Sequence, residues 1–308
     1  MYTPLMGKRT GLVAFGFCAL STFASASYEL VLVVDSSSAT PSVRRYDGNS
    51  GAFLGSFGLG YFRNPDQVAV NPSTGEAFVT DFDRGSVSRF KYSTGEYMGE
   101  FIAPSVGLGG AIAILPGGDL VVGGGTTVRR YSPSGTLLAS FTMPSIVYAL
   151  GVDSSSRIHM VDSGGNYRRT SSAFVLQASA TLASQAYGSM VIDGSTLYLP
   201  DFNNDQIGRY TITTSGLTPN TSVFAGACDF PLGVAPGHAG RLYFAGRDTT
   251  LSTTAVLMRG SVQNGITDKI VSLPASDLRG IATVVAPEPL SLLALASGMT
   301  LLLGRRKK

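Results

Sequence analysis

A short apolar run ending in Asp or Gly returns six times along this chain, and that recurrence constrains the fold more than any other feature. The copies are Leu32-Val33-Val34-Asp35, Phe78-Val79-Thr80-Asp81, Val121-Val122-Gly123-Gly124, His159-Met160-Val161-Asp162, Tyr198-Leu199-Pro200-Asp201 and Tyr243-Phe244-Ala245-Gly246. Their last residues lie 46, 43, 38, 39 and 45 positions apart. Units this short cannot bury their apolar faces alone, so a period near this length marks an array of one supersecondary unit. After each of the first five copies comes a run that closes on Arg, at Arg45-Tyr46, Arg89-Phe90, Arg130-Tyr131, Arg169-Thr170 and Arg209-Tyr210. Turn-forming clusters then lead into another apolar run, as in Asp47-Gly48-Asn49-Ser50-Gly51 before residues 52–57, or Ser132-Pro133-Ser134-Gly135 before residues 136–141. Such spacing reads as hairpins.

A further strand precedes each Asp- or Gly-ended one. Val68-Ala69-Val70, residues 111–114, Leu150-Gly151-Val152, Met190-Val191-Ile192 and Leu232-Gly233-Val234 supply five, and residues 280–284 supply the sixth at the far end of the body. Their small residues suit a crowded inner position. Residues 29–57 hold only the last three strands of a unit, and the C-terminal segment holds only the first. Pairing the two fragments predicts an all-β, six-bladed β-propeller closed by N- and C-terminal strands in one blade, which leaves no unpaired edge between first and last blades. A two-sheet sandwich or a β-solenoid also gives many short strands, but neither explains why the strand missing from the first unit stands at the end. The unit resembles NHL-type propeller repeats, most clearly over residues 64–101. It departs from them at Gly124, at Thr170 and around Met258-Arg259-Gly260.

Both ends of the chain read as address labels. Lys8 and Arg9 form a positive n-region, residues 11–20 an apolar h-region, and Ala24-Ser25-Ala26 a small-residue cleavage site. Residues 1–26 are therefore expected to be a signal peptide cut by signal peptidase, with Ser27 as the mature N-terminus. An uncleaved anchor is the alternative. Cys18 follows Phe15-Gly16-Phe17 rather than a lipoprotein pattern. At the other end, Pro287-Glu288-Pro289 precedes an apolar run over residues 290–303, then Gly304 and Arg305-Arg306-Lys307-Lys308. As a helix that run spans about 21 Å, short of the roughly 30 Å hydrocarbon core, so it is expected to be a short transmembrane helix of marginal length. The terminal cations would stay on the cytoplasmic side.

This order of Pro-Glu-Pro, short apolar helix and terminal basic cluster resembles the PEP-CTERM sorting signal of exported bacterial proteins. The resemblance implies recognition by a membrane-embedded exosortase, transient residence in the inner membrane through the C-terminal helix, and release to the cell envelope or extracellular matrix. It assigns residues 287–308 to sorting, with Pro287, Glu288, Pro289, Arg305 and Arg306 as the motif, and leaves residues 27–286 as the propeller. It is silent on what the propeller does.

Removing the labels changes the charge balance. Residues 1–26 hold two of the 23 cations and residues 287–308 hold four, together with one of the 20 anions, so the body carries 17 cations against 19 anions. A net of −2 removes the electrostatic support that a nucleic-acid partner needs. The body keeps one cysteine, Cys228, so it forms no internal disulfide in the oxidising space it enters.

No catalytic set emerges. The chain has no Gly-x-Ser-x-Gly elbow, no His-Glu-x-x-His, no phosphate loop and no Gly-x-Gly-x-x-Gly. No cofactor is implied. His159 occupies the register of Phe78, Tyr198 and Tyr243, which favours a packed ring over a base. His238 sits in the turn Pro236-Gly237-His238-Ala239-Gly240. Asp81 and Asp83 in one unit, and Asp201, Asn203, Asn204 and Asp205 in another, are oxygen-rich and could hold calcium, which takes six to eight oxygens. Asx side chains equally cap turns, and recurrence of the Asp favours that structural task. The recurring Arg45, Arg89, Arg130, Arg169 and Arg209 could form a cationic ring for an anionic polysaccharide, but an acidic body favours a structural use with apolar stems covering the sheet. Thirteen Tyr and 16 Phe with no Trp point to packing rather than to a dedicated sugar-stacking surface.

Two function classes remain. The first is an exported, non-enzymatic surface or extracellular-matrix protein that binds polysaccharide or a matrix protein. The second resembles the six-bladed lactonase and lyase propellers, which place acidic and amide metal ligands, or a His-Glu pair, at the channel. The body has only Glu29, Glu76, Glu96 and Glu100, none at an expected inner-strand end, so that site would rest on Asp and Asn alone.

Overall fold

The structure is a computed structural model that describes residues 27–37, 39–104, 110–183, 188–251 and 253–287. Blade I takes β1 (Ser27–Asp35), β2 (Ser42–Asp47) and β3 (Phe53–Phe57) from the start of the body. Blade II is β4 (Pro65–Asn71), β5 (Glu76–Asp81), β6 (Ser86–Lys91) and β7 (Tyr97–Ile102). Blade III is β8 (Ile112–Ile114), β9 (Leu120–Gly124), β10 (Thr127–Tyr131) and β11 (Leu137–Thr142). Blade IV is β12 (Val147–Val152), β13 (Ile158–Asp162), β14 (Asn166–Thr170) and β15 (Leu176–Thr181), with the two-residue β16 (Gly188–Ser189) added to its inner edge. Blade V is β17 (Val191–Asp193), β18 (Thr196–Asp201), β19 (Gln206–Ile212) and β20 (Leu217–Pro219). Blade VI is β21 (Asp229–Gly237), β22 (Arg241–Arg247), β23 (Thr254–Ser261) and β24 (Thr267–Pro274). The last strand, β25 (Leu278–Pro287), returns to blade I and pairs with β1, giving the order β25-β1-β2-β3. This is the expected all-β, six-bladed propeller with one blade shared by the two ends of the body.

Leu30 to Val34 is apolar at five consecutive positions because β1 is covered on both faces. Side chains alternate across a strand, so Leu30, Leu32 and Val34 pack against Val68, Val79 and Phe90 of blade II, while Val31 and Val33 pack against Ala235, Tyr243 and Leu257 of blade VI. The same holds around the ring: among the described residues the buried apolar side chains form six clusters, one in each seam between neighbouring blades. The core is thus a ring of seams rather than one centre.

The Arg-aromatic dipeptide has a backbone counterpart. In blades I to IV the pairing of the third strand with the fourth shifts by one residue at Arg45/Tyr46, Arg89/Phe90, Arg130/Tyr131 and Arg169/Thr170. Each shift is a bulge in the outer strand that increases its local twist.

Two details differ from expectation. The closing strand runs from Leu278 to Pro287 rather than over residues 280–284, so the first Pro of the C-terminal motif is its last residue. The inner strand of blade V is broken at Met190: Val191 pairs with Tyr198 inside the blade, whereas Gly188 and Ser189 pair in parallel with Ala149 and Leu150 of blade IV. The compact body spans residues 28–286. Ala24, Ala26, Glu288, Pro289, Arg305, Arg306 and the apolar run of residues 290–303 lie outside the described residues. Among the described residues no helix is long and apolar enough to cross a membrane.

Candidate functional site: the central channel and its rim

In blades I, II and IV the recurring Asp ties the inner strand to the turn beside it. Asp81 accepts the backbone N–H of Arg63 at 2.7 Å and of Asn64 at 3.2 Å, just ahead of β4, and that of Arg84 at 3.1 Å in its own turn. Asp162 takes Ser145 N–H at 2.9 Å ahead of β12 and the N–H groups of Gly164 and Asn166 at 3.0 and 2.8 Å. Asp35 does the same with Asp277 N–H at 3.4 Å ahead of β25 and Ser37 N–H at 3.1 Å. Three chain-distant segments thus meet one capping scheme. Asp201 instead holds the amide groups of Asn204 and Gln206.

Asp81, Asp83, Asp201 and Asp205 among the calcium candidates already accept hydrogen bonds. Asp83 accepts from the Asn64 amide, and Asp205 accepts the N–H of Phe230 at 2.8 Å. Asp81 and Asp83 belong to blade II, Asp201, Asn203 and Asp205 to blade V. Among the described residues no group of three or more His, Cys, Asp or Glu side chains stands where it could hold a metal ion.

Arg45, Arg130 and Arg169 of the recurring Arg set clamp neighbouring blades together, whereas Arg89 bonds Glu76 and Met98 O within blade II. Arg45 of blade I donates to the Ser93 carbonyl in the outer hairpin turn of blade II at 2.5 Å. Arg130 of blade III reaches Ser172 O of blade IV at 2.7 Å, and Arg169 of blade IV reaches the Thr213 and Thr214 carbonyls of blade V at 2.7 and 3.0 Å. Arg259 closes the sequence, donating from blade VI to Gly48 O of blade I at 2.7 Å. It stands opposite Tyr243 as Arg169 stands opposite His159, so the least recognisable unit keeps the register. Backbone carbonyl acceptors carry no residue signature, which is why the clamp is invisible in the sequence. The side chains that could form a cationic ring are mostly spent between blades.

His159 is fully buried. Its Nε2 stands 3.1 Å from Asp153 Oδ2 and its Nδ1 2.9 Å from the Tyr167 hydroxyl. A carboxylate accepts, so Nε2–H donates to Asp153 and Nδ1 accepts from Tyr167 O–H. Burial lowers the imidazole to about 4 against the opposing pull of Asp153. Burial also raises the Tyr167 hydroxyl to about 12. A neutral ring with both nitrogens engaged and no exposure has no path to a substrate. His238 lies exposed in a single 3₁₀ turn, as the Pro-Gly-His-Ala-Gly sequence implies. Burial pushes the Cys228 thiol up to about 12, which marks an unreactive sulfur.

The channel itself has two halves. In one, backbones meet: a Cβ on Gly188 would stand 1.9 Å from Leu232 O, on Gly233 2.2 Å from Arg279 O, and on Gly280 2.6 Å from Gln67 Cα. Gln67, 1 % exposed, lies in this constriction with both amide atoms lacking a hydrogen-bond partner. Its backbone is anchored where the β4–β5 ladder breaks, by the Thr80 hydroxyl, which accepts Gln67 N–H at 3.0 Å. Beside it, Arg279 joins the seam by pairing with Asp277 at 3.0 Å and Asp66 at 3.5 Å. The other half is a cavity of about 240 Å³ lined by Val70, Ile114, Val152, Val234 and Ile281 of five blades and by Met190 at the break ahead of β17. Ser189 and Thr283 are its only hydroxyl side chains among the described residues, and no charged residue of that set lines it. Ser189 Oγ is already bonded to Val234 O and N. Among the described residues this half of the channel presents no acidic or basic side chain.

No protein-family model matches the chain. No curated protein matches it either. Solved structures do. A Bacteroides caccae protein of unknown function is 14% identical with a TM-score of 0.62, covering 83% of this chain and 98% of its own. A nidogen/laminin complex structure is 13% identical with a TM-score of 0.66, over 83% and 98% of the two chains. A functionally unknown Desulfotomaculum acetoxidans protein is 13% identical with a TM-score of 0.51, over 80% of each. At these identities the likeness shows the fold.

Proposed function

We propose that the protein is exported, processed after Ala26, carried by its Pro287-Glu288-Pro289 signal and short apolar helix to an exosortase, and deployed at the cell envelope or in the extracellular matrix as a non-enzymatic binding protein. The observation that carries the binding half is the commitment of the repeated charged residues to the ring: Asp caps inner strands, Arg clamps blades and His159 is sealed inside. One half of the channel adds a wall on which no described residue is charged. A neighbour in fold was solved in the complex of nidogen with laminin, which is in keeping with a propeller that serves recognition. The tripartite C-terminal motif carries the destination half.

Glu288→Ala combined with removal of Arg305 to Lys308 tests the destination. Expected is loss of release and accumulation of a membrane-held precursor in the native host. Unchanged release with unchanged precursor size would overturn the sorting reading.

A further inference from the structure

Blade V breaks the pattern of the other five at its outer edge. Their fourth strands are 5, 6, 6, 6 and 8 residues long, but β20 has three and ends at Pro219. Proline has no N–H to extend a ladder, and it confines pairing with β19 to Tyr210, Thr211 and Ile212. The edge from Gln206 to Arg209 is met instead by a loop, through Asn220 N–H on Arg209 O at 2.8 Å and a bridge between Ile207 and Val223. The strand that would fill this edge is missing, and a cavity of about 190 Å³ takes its place.

Arg209 lines that cavity. It occupies the position of Arg45, Arg89, Arg130, Arg169 and Arg259; among the described residues Arg89 bonds within its own blade, the other four reach the next blade, and Arg209 does neither. The Nε atoms of Arg45, Arg89, Arg169 and Arg209 are all buried without a partner. The terminal nitrogens of the first three are engaged, Arg89 with Glu76 and Met98 O, whereas no ion pair or side-chain hydrogen bond engages those of Arg209 among the described residues. A position that is structural elsewhere is therefore left unspent where the wall opens.

Asp201, Asn204, Gln206, Asn220 and Ser222 form the polar part of the remaining lining, beside Ala183, Tyr210 and Pro219. Asn204 and Gln206 turn their NH₂ groups to Asp201, and the Asn220 NH₂ donates to Thr211 Oγ1 at 2.8 Å. Three amide oxygens are left as acceptors beside one guanidinium fork. Acceptors suit hydroxyl donors, and a fork suits a carboxylate. The volume is below the roughly 300 Å³ at which drug-sized sites begin, so one ring fits.

We propose that this pocket binds a uronic acid residue of an acidic extracellular polysaccharide, with the carboxylate on Arg209 and ring hydroxyls on the amide oxygens of Asn204, Gln206 and Asn220. The assignment rests on the binding reading and gives it a site and a ligand class.

Titration of the full chain with polygalacturonate, and with the same polymer methyl-esterified, tests it against Arg209→Ala, Arg209→Lys, Asn220→Ala and Arg130→Ala. The acidic polymer is expected to bind, and Arg209→Ala to weaken it about ten- to a hundredfold at unchanged melting temperature, the range of one charge-assisted contact. Arg209→Lys retains part of the affinity and Asn220→Ala loses part. Arg130→Ala binds as wild type while melting lower. Equal affinity for the esterified polymer, or full affinity in Arg209→Ala, overturns this site and leaves polysaccharide binding standing. Failure of the wild-type chain to bind either polymer overturns the ligand class, and a screen of neutral glycans and matrix proteins then decides the broader reading separately.

Discussion

Tyr243→Phe probes the seam at which the ring closes. The Tyr243 ring is fully buried between blades VI and I, and Glu29 on β1 is 2 % exposed. Glu29 Oε2 accepts the Tyr243 hydroxyl at 2.7 Å and Oε1 accepts His238 N–H at 2.8 Å, so one carboxylate holds two parts of blade VI. The substitution keeps the ring volume and opens no cavity, but it leaves a buried charge with half its donors. Loss of one charge-assisted bond costs about 1.5–3 kcal/mol. For a body of this size that lowers the melting temperature by about 3–12 °C. In a Glu29→Gln background the bond is between neutral groups and Tyr243→Phe costs only about 0.5–1.5 kcal/mol, so the cycle yields a coupling of roughly 1 kcal/mol. Urea unfolding with an unchanged slope is the assay. Alkaline pH supplies a second reading. Burial first, then the bond to Glu29, raises the Tyr243 hydroxyl above its ordinary value of 10.0. A raised folded value means stability that is complete below that pH and lost above it, so wild type declines more steeply than Tyr243→Phe there. A change under about 0.3 kcal/mol in Tyr243→Phe, within the usual error of additivity, refutes the role given to this seam.

His159 predicts an acid-side dependence of the opposite sign. Its folded value near 4 lies below the unfolded 6.5, so its contribution is complete above 6.5 and falls away as pH drops toward 4, by about 3 kcal/mol in all; His159→Gln flattens that window in urea titrations. Arg130→Met loses the Ser172 carbonyl and the Asp119 carboxylate from a part-exposed site, and a thermal melt should register about 1–2 kcal/mol, against no change for Arg209→Met. Gly188→Ala and Gly194→Ala both place a side chain at positive φ, 88° and 57°, but only the first meets Leu232 O at 1.9 Å, whereas nothing lies within 4 Å of the second. Chemical denaturation should show at least about 2 kcal/mol lost for Gly188→Ala and about 1 for Gly194→Ala.

The architecture is legible in the sequence because its causes are local and repeat. A strand covered on both faces must be continuously apolar, as Leu30 to Val34 is, and a strand exchanged between chain ends leaves a deficit at one end and a surplus at the other. Blade VI is obscure around Arg259 because Gly260 follows it where an aromatic follows in four of the other five units, although Tyr243, its partner across the ladder, carries the aromatic slot. The partners of the charged residues are not legible. Glu29 meets Tyr243 across 214 positions, and the Arg clamps end on carbonyls that any residue offers. The register of His159 points to a packed slot, but its partner Asp153 sits outside the recurring pattern. The shortened strand of blade V does leave a trace, in Pro219 two residues after Leu217. Nothing in the sequence marks the parallel pairing of Gly188 and Ser189 with blade IV, because it follows from a break at Met190 that packing decides.

The central claim is that this propeller is cargo, cut at both ends and delivered outside the cell. Intact-mass measurement of the protein recovered from the extracellular fraction of its native host tests that directly. The account predicts a chain that begins at Ser27 and lacks Arg305 to Lys308. Recovery of the uncut 32.1 kDa chain from the cytoplasm, with none outside, would contradict it.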